Sequence, residues 1–189
     1  EVGESELFAF TRMTCDLIKN IRALRKPVVA ALGGAAAGAG AVIALAADLR
    51  VASEKAKIAF LFVKVGLAGA DMGAAFLLPR IVGLSRATEL LYFGDAIDAA
   101  TAERYGLFNK VVAPDKVFEE AMVWAMRLAD GPSFALGMTK ELLNAELSAD
   151  LNGALGALAG LVEHDAAYVH PEDAKILPAQ AVVLDGRLA

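Results

Sequence analysis

The amino-acid sequence predicts an α/β fold with a helical C-terminal region, and three observations support this class. Short apolar runs of β type alternate with helical patterns through the first part of the chain, as in strands linked by helices. From Pro114 onward only helical patterns follow. Hydrophobic residues make up 57% of the 189 positions, which supports a packed core and excludes a disordered chain. We therefore divide the chain into an α/β core, residues 1–113, and a helical region, residues 114–189.

The first element is an amphipathic helix predicted over residues 5–24. Its apolar side chains recur every three or four positions, which places them on one helix face. These side chains are Leu7, Phe10, Leu17, Ile18, Ile21 and Leu24. Arg22 and Lys26 lie at the C-terminal end, where cations complement the helix dipole. Pro27 then ends the helix.

The chain is organised around Lys26–Asp48, which reads KPVVAALGGAAAGAGAVIALAAD. Its apolar run Val28–Leu32 predicts a buried strand, Gly33 and Gly34 predict a tight turn, and the Ala-rich run up to Asp48 predicts a buried helix. A helix start presents unpaired N–H groups and a partial positive charge. Glycines let another group approach the backbone closely. The stretch is therefore interpreted as a site that stabilises negative charge on a ligand.

Three other structures are compatible with parts of this stretch. Val28–Ala47 carries no charge for about 20 residues, the length of a membrane span. The Gly33–Gly34 pair would break such a helix, so we do not expect a span. A phosphate-binding loop requires Lys and Ser/Thr where Ala39 and Gly40 stand, and a dinucleotide fingerprint requires a third glycine. Plain close packing of small residues remains open.

The remaining elements of the α/β core are short. Strands are expected at 48–53, 57–63 and 107–112, and helices at 73–82, 86–93 and 99–105. Ser85 and Asp98 are candidate N-caps, and Gly106 is a candidate helix stop. A glycine-rich loop, Gly66–Gly73, carries a single acidic residue, Asp71.

Three further helices are predicted in the helical region. They are expected at 114–130, 133–147 and 150–164. Trp124, at helical spacing with Val117 and Leu128, is expected in the core or at a subunit contact. The tail from Pro171 shows no clear period.

Charge and composition limit the partners and the compartment. The net charge is −5 without a block of like charge, which gives no support for a nucleic-acid partner. Cys15 is the single cysteine, so no internal disulfide can form, and the acidic Glu1–Glu6 does not resemble a signal peptide. A cytoplasmic location is expected. His164 and His170 lack acidic or cysteine partners at ligand spacing, so no metal site is predicted.

Two consecutive stretches resemble the crotonase superfamily, the enoyl-CoA hydratases and isomerases. They are KPVVAALGGAAAGAGAVIALAADLRVASEKAKIAF and GLAGADMGAAFLLPRIVGLSRATELLYFGDAIDAATAERYGLFNKVV, and the resemblance spans roughly residues 5–165. It implies a spiral of ββα turns and a C-terminal helical region that builds a homotrimer, or a dimer of trimers. It also implies acyl-CoA thioester substrates, with coenzyme A as part of the substrate and no separate cofactor.

The resemblance also implies a chemistry, in which a thioester enolate is stabilised between two backbone N–H groups. Laid onto this sequence, one donor is the N–H of Ala39, flanked by Gly38 and Gly40. The superfamily usually has Gly at the donor position, but a backbone donor tolerates Ala. Preorganised donors of this kind contribute about 3–4 kcal/mol each to the transition state. The other donor belongs to a segment that precedes residue 1 in family order, so we expect an N-terminal segment that this sequence lacks.

Departures from the family pattern change the expected reaction. Hydratase members place two glutamates where this sequence has Val42 and Phe62, and apolar side chains cannot transfer protons. Both are expected to contact an apolar or aromatic acyl group instead. Asp71-Met72-Gly73 resembles an Asp-x-Gly motif that several non-hydratase members use for proton transfer or nucleophilic attack. Asp71 is therefore the catalytic candidate, and its alternative role is to cap the helix that starts near Gly73.

Two functions follow from this resemblance. The first is an enoyl-CoA hydratase/isomerase-family enzyme with isomerase-like proton transfer in place of plain hydration. The second is a non-catalytic acyl-CoA-binding or assembly subunit with the same fold.

Overall fold

The computed structural model describes residues 4–164 and 182–185. The α-helices are α1 Glu4–Ala23, α2 Ala39–Ala46, α3 Ala74–Val82, α4 Leu84–Phe93, α5 Ala99–Arg104, α6 Val117–Ala129, α7 Ser133–Glu146 and α8 Leu151–His164. The strands are β1 Val28–Leu32, β2 Ala35–Ala37, β3 Leu49–Ser53, β4 Lys57–Ala59, β5 Ile97–Asp98, β6 Lys110–Val112 and β7 Val182–Asp185. Three 3-10 helices, Leu61–Val65, Asp71–Gly73 and Pro114–Lys116, complete the regular structure of this part of the chain.

The first four strands alternate between two sheets. The first sheet has the order β6-β3-β1-β7 and is parallel throughout, with Val29 opposite Leu49 and Val51 opposite Lys110. The second has the order β2-β4-β5, in which β2 and β4 are parallel and β4 and β5 antiparallel. The pairs β1–β2 and β3–β4 each give one strand to each sheet before the chain turns into helices. This arrangement is the predicted spiral of ββα turns.

The first sheet is covered on both faces, which explains why β1 is apolar at every position. Val28, Ala30 and Leu32 belong to the main core with α1, α2, α3 and α4. Val29 and Ala31 belong to a second cluster with residues of α6. Such a strand shows no polar alternation because neither face meets water. The partly buried Trp124 of α6 packs on this second cluster, which is one of the two positions predicted for it.

A buried arginine fixes the C-terminal end of α2. Arg50 Nε donates to Leu107 O at 2.7 Å, and its guanidinium also donates to Ala47 O at 2.7 Å and to Ala44 O at 3.3 Å. Burial lowers the pKa of Arg50 to about 10, although the nearby charge of Asp48 acts in the opposite direction. Arg50 therefore stays charged at neutral pH and satisfies helix-end carbonyls that water cannot reach.

An ion cluster ties α1 and α7 to the start of β1. The Asp48 carboxylate lies 3.2 Å from Arg22 Nη1 and 2.8 Å from Lys140 Nζ, and it accepts a hydrogen bond from Val28 N at 2.8 Å. Asn144 Oδ1 accepts from Arg22 Nη2, and Asn144 Nδ2 donates to Arg22 O at 3.1 Å. Lys140 is only 6% exposed, so Asp48 supplies the counter-charge of a buried ammonium. The helical region is thus docked against the segment that leads into α2.

Several predicted boundaries were wrong. The strand expected at 57–63 ends at Ala59, because the chain then turns into a 3-10 helix that buries Phe60 and Phe62. Gly94, at φ +62°, lies against this turn, where an added Cβ would be 3.1 Å from Leu61 Cα. The short strands β2 and β5 were not predicted, since two or three residues give no periodic signal. Ser85 is not a cap, because α4 begins at Leu84.

The prediction of helices alone after Pro114 is wrong at one place. Val182–Asp185 forms β7, which pairs in parallel with β1, Val28 standing opposite Val182. A four-residue strand in a segment without clear periodicity was not detectable from the sequence. The helical region therefore also returns to the core sheet. The division of the chain at residue 113 stays a prediction.

The uncharged stretch considered as a membrane span is divided among three elements. Its residues form β1, β2 and the eight-residue α2. Among the residues described by the structure, no helix has the length and apolar character that crossing a membrane requires. The interpretation of Val28–Ala47 as a spanning helix is therefore wrong.

Asp98 is an N-cap, as predicted, and this leads to a testable pH dependence. Its Oδ1 accepts from Thr101 N at 2.8 Å, and hydrogen bonds from Thr101 lower the pKa of Asp98. A carboxylate with a lowered pKa in the folded state stabilises the fold above its unfolded pKa and loses this contribution as pH falls through its folded pKa. We expect Asp98→Ala to lower Tm at pH 7 but much less at a pH low enough to protonate the carboxyl.

Thermal melts followed by circular dichroism across this pH range would measure the effect. Asp98→Asn is the matched control, because an asparagine caps a helix without titrating. A deficit of the same size at both ends of the pH range would show that the charge of Asp98 contributes nothing.

Candidate active site

The start of α2 depends on the backbone conformation of Gly38. This residue has φ +53° and ψ −119°, a region that residues with a Cβ avoid. Its N–H donates to Ala59 O at 3.0 Å, and its carbonyl accepts from Val42 N at 3.2 Å. The glycine is therefore held by β4 on one side and by the first turn of α2 on the other. This turn redirects the chain from β2 into the helix.

The amides that follow Gly38 precede the helix's own hydrogen bonds. Val42 is the first residue whose N–H forms a hydrogen bond of the helical type, to Gly38 O. The N–H groups of Ala39, Gly40 and Ala41 therefore come before the first hydrogen bond of α2. Within residues 4–164 and 182–185, none of these three donates to a backbone oxygen. Ala39 and Gly40 are exposed. The predicted donor at Ala39 is thus not consumed by its own helix.

The alternative of plain close packing does not explain these glycines. A Cβ added at Gly33, Gly34 or Gly40 would meet no heavy atom of the described residues within 4 Å. At Gly38 the nearest atoms would be Leu61 Cδ1 and Phe62 Cε1, at ordinary contact distances of 3.9 and 4.0 Å. Gly38 is required by its dihedral angles, and space remains open around the amides that follow it.

The structure places Val42 and Phe62 in the core. Val42 is 0% and Phe62 5% exposed, and both belong to the main apolar cluster. Phe62 packs near Gly38, where its Cε1 would lie 4.0 Å from an added Cβ. Val42 is fully buried and presents no surface to a ligand. Their predicted contact with an acyl group stays a prediction, and for Val42 it would require the core to open.

Asp71 lies in a strained turn that packs against α1 and α2. Its Oδ1 accepts from Met72 N at 2.8 Å, and Met72 has φ +53°, unusual for a residue with a long side chain. The next helix, α3, has Gly73 as its N-cap and no side-chain cap bond. The alternative role of Asp71 as the cap of that helix is therefore wrong. Strain of this kind is concentrated at functional sites.

An apolar cavity adjoins this turn. It has a volume of about 520 Å³ and lies between α1, the Met72–Gly73 turn, α3 and α7. Its wall contains Cys15, Ile18, Lys19, Arg22, Ala23, Met72, Gly73, Phe76, Leu77, Asn144 and Leu147. Sequence analysis did not find this cavity, because its walls come from segments far apart in the chain.

Among the residues described here, no group of three or more His, Cys, Asp or Glu side chains is placed to hold a metal ion. His170 lies outside those residues. The candidate site combines backbone amides, one carboxylate and an apolar cavity.

A spiral of ββα turns, in which the second strand leads through a positive-φ glycine into the start of a helix, defines the class of crotonase-fold proteins. Comparison with known proteins narrows this class. Residues 6–170 match the family model described as Enoyl-CoA hydratase/isomerase. The chain belongs to the enoyl-CoA hydratase/isomerase family.

Individual relatives agree with this assignment. The chain is 38% identical over 129 residues to 1,2-epoxyphenylacetyl-CoA isomerase of Escherichia coli (strain K12), covering 68% of this chain and 49% of that protein. It is 41% identical over 135 residues to a probable enoyl-CoA hydratase, echA17, of Mycobacterium avium (strain 104), covering 71% and 52%. The chain therefore spans about half the length of these two relatives.

A solved structure confirms the fold. The enoyl-CoA hydratase/isomerase from Cupriavidus metallidurans CH34 superposes with a TM-score of 0.82 at 32% sequence identity, covering 90% of this chain and 64% of that one. The predicted α/β, crotonase-like architecture is thus confirmed.

Proposed function

We propose that this protein acts on acyl-CoA thioesters through an enolate whose oxygen is stabilised by the N–H of Ala39. One observation carries this proposal: Ala39 and Gly40, which follow Gly38, are exposed residues, and their N–H groups precede the hydrogen bonds of α2. A helix start adds a partial positive charge at the position where the oxyanion develops. Membership of the family supports a thioester substrate. Gly38 and Gly40 flank the donor and leave room for the thioester.

Asp71 is the proposed proton carrier. Its carboxylate is partly buried beside the cavity, and Oδ1 is held by Met72 N–H. Within the described part of the chain no donor contacts Oδ2, which leaves this oxygen to take a proton from carbon. In an isomerisation, Asp71 would remove a proton from one carbon of the acyl group, and the electron pair would move to the thioester oxygen. The same proton would return to a different carbon, so the double bond shifts and no atom is gained or lost.

Asp71→Asn should reduce turnover on a panel of enoyl-CoA thioesters by about 10²-fold or more, because an amide cannot carry the proton. Asparagine keeps an oxygen acceptor for Met72 N–H, so the melting temperature should change little. Asp95→Asn is the matched control, since the Asp95 side chain is 73% exposed and pairs with Lys64 on the surface. Undiminished turnover in the Asp71 variant would remove this residue from the mechanism.

A second function is favoured by the apolar residues at Val42 and Phe62. Both are core residues, so neither supplies the acid–base groups that the family resemblance implies for hydration. The alternative is a non-catalytic subunit that binds acyl-CoA. Calorimetry with CoA thioesters beside the turnover assay separates the two, because binding without turnover on any substrate supports the second function.

Self-association as a homotrimer or a dimer of trimers is also part of the proposal. It is supported by large apolar side chains that are exposed on α4, α6 and α8, including Tyr92 at 75%, Met126 at 59% and Leu151 at 74%. We propose no separate cofactor and no nucleic-acid partner.

A further inference from the structure

A buried guanidinium holds the C-terminal end of α2. Arg50, in β3, is 5% exposed, and all three of its side-chain nitrogens donate to backbone oxygens. Two of the acceptors belong to this helix end, since Ala44 lies in the last turn of α2 and Ala47 is its C-cap. The other two acceptors are Leu107 O and Asp48 O. One planar group therefore ties the end of the helix to two neighbouring segments.

α2 has no charge of its own at either end. Its eight residues read AGAVIALA and contain no ionisable side chain. The carbonyls of its last turn carry a partial negative charge, which a nearby cation offsets. Arg50 supplies this cation from β3, and Arg22 Nη1 adds a longer contact to Ala46 O at 3.4 Å. Much of α2 is buried, so these charge interactions are stronger than they would be in water.

The length of α2 connects its C-terminal end to the proposed donor. Eight residues at about 1.5 Å each make a helix about 12 Å long, with the Ala39 N–H at one end and the Arg50 contacts at the other. A helix this short moves as a unit, so a shift of its last turn displaces its first amides. Displacements of about 1 Å can cost about 10²-fold in rate.

We infer that Arg50 is a positioning residue for the proposed reaction. It fixes α2 along its axis and offsets the negative end of the helix, so that the Ala39 N–H is held at the position of the enolate oxygen. This inference rests on the proposed function and adds a residue that acts on the donor from the far end of the helix.

The surroundings of Arg50 determine how a substitute would titrate. Burial lowers the pKa of Arg50 to about 10, Asp48 acts in the opposite direction, and Arg22 lowers the pKa further. Lys140 of α7 faces the same Asp48 carboxylate at 2.8 Å. In Arg50→Lys, burial would lower the pKa of an ammonium group whose ordinary value is about 10.4. This charge would be lost as pH rises through the lowered pKa, whereas the wild-type guanidinium stays mostly charged up to about pH 9.

Arg50→Gln and Arg50→Lys test the inference with 3-hexenoyl-CoA, whose double bond moves into conjugation with the thioester on isomerisation. Arg50→Gln removes the charge but keeps a hydrogen-bond donor. We expect its kcat to fall by about tenfold or more and its KM to change by less than about twofold, because the effect is on the developing oxyanion. Arg50→Lys should keep more of the wild-type kcat at pH 6 than at pH 9.

Asn109→Ala is the matched control. Asn109 Oδ1 accepts from Arg50 N at 2.8 Å, so this variant weakens the same part of β3 without changing the guanidinium. It should lower Tm and leave kcat within about twofold of wild type. A loss of kcat that follows from loosened structure alone would appear in this control as well.

The enolate of bound acetoacetyl-CoA gives a second readout that needs no turnover. This enolate absorbs in the near ultraviolet, and the pH at which it forms reports how well the site stabilises the anion. Arg50→Gln should raise this pH by about one unit, which is equivalent to a tenfold change in the equilibrium. Asn109→Ala should leave it unchanged.

The outcomes separate this inference from the proposed function. If wild-type protein isomerises 3-hexenoyl-CoA but the Arg50 variants lose no more kcat than Asn109→Ala, the inference is overturned and the proposed function stands. If Arg50→Gln does not fold, Arg50→Lys decides, and a kcat ratio to wild type that is constant from pH 6 to 9 overturns the inference. If wild-type protein neither turns over a thioester nor forms a bound enolate, both fail.

Discussion

Replacing Gly38 with alanine is expected to reduce turnover by about 10²–10³-fold, the cost of losing one oxyanion donor. Alanine is strained at φ +53° and ψ −119°, so the chain would rotate away and move the Ala39 amide that follows it. The strain itself should lower the free energy of unfolding by about 1–3 kcal/mol. Enoyl-CoA turnover and urea unfolding measure the two effects separately.

Gly40→Ala is the matched control for this variant. Gly40 lies on the other side of Ala39, and an added Cβ there meets no heavy atom of the described residues within 4 Å. Its φ is not positive, so alanine suits the helix better than glycine does. We expect stability equal to or above wild type. A Gly38→Ala protein with wild-type turnover would show that the Ala39 amide does not take part in the reaction.

Asp48→Ala should produce the largest loss of stability, about 3–5 kcal/mol, because it leaves the buried Lys140 ammonium without its counter-charge. The Val28 amide loses its 2.8 Å acceptor at the same time, and Arg22 loses its ion partner. These groups anchor α1, β1 and α7 around one carboxylate. Urea unfolding gives the change in the free energy of unfolding, and an unchanged m-value would show that the unfolded state is the same.

Two further variants define what the carboxylate contributes. Lys140→Met removes the buried cation but leaves Asp48 paired with Arg22 and Val28 N, so its cost should be clearly smaller. Asp16→Ala breaks the exposed Asp16–Lys19 pair, which should be worth about 0–1 kcal/mol. If Asp48→Ala costs no more than Asp16→Ala, the cluster is not a structural anchor.

Much of the fold could be predicted wherever one short stretch carries a complete signal. β1 was predicted with its observed bounds, Val28–Leu32, because both of its faces are buried and the run is apolar throughout. The cap at Asp98 was predicted because a cap is a local hydrogen bond. Predictions failed where tertiary contacts decide the local structure. The 3-10 turn after Ala59 forms because Phe60 and Phe62 are both drawn into the core.

In the candidate site, too, features with a local sequence signal could be predicted, and features that depend on tertiary contacts could not. The position of the glycine turn, the donor at Ala39 and the acidic turn at Asp71 could all be proposed from the sequence. The roles of Val42 and Phe62 could not be settled in that way, since burial depends on what packs over a side chain. The cavity was not predicted, because its walls come from α1, α3 and α7, which are distant in sequence.

The sequence by itself determined the fold class, the family resemblance and the position of the backbone donor that we propose. These features depend on residue type and spacing within single elements, where dihedral preference and periodicity act directly. The tertiary structure decided which apolar residues are core and which charges are paired. It also decided where an apolar cavity opens beside Asp71. Packing and charge pairing depend on groups brought together from separate segments, and their free energies are set only when those segments meet.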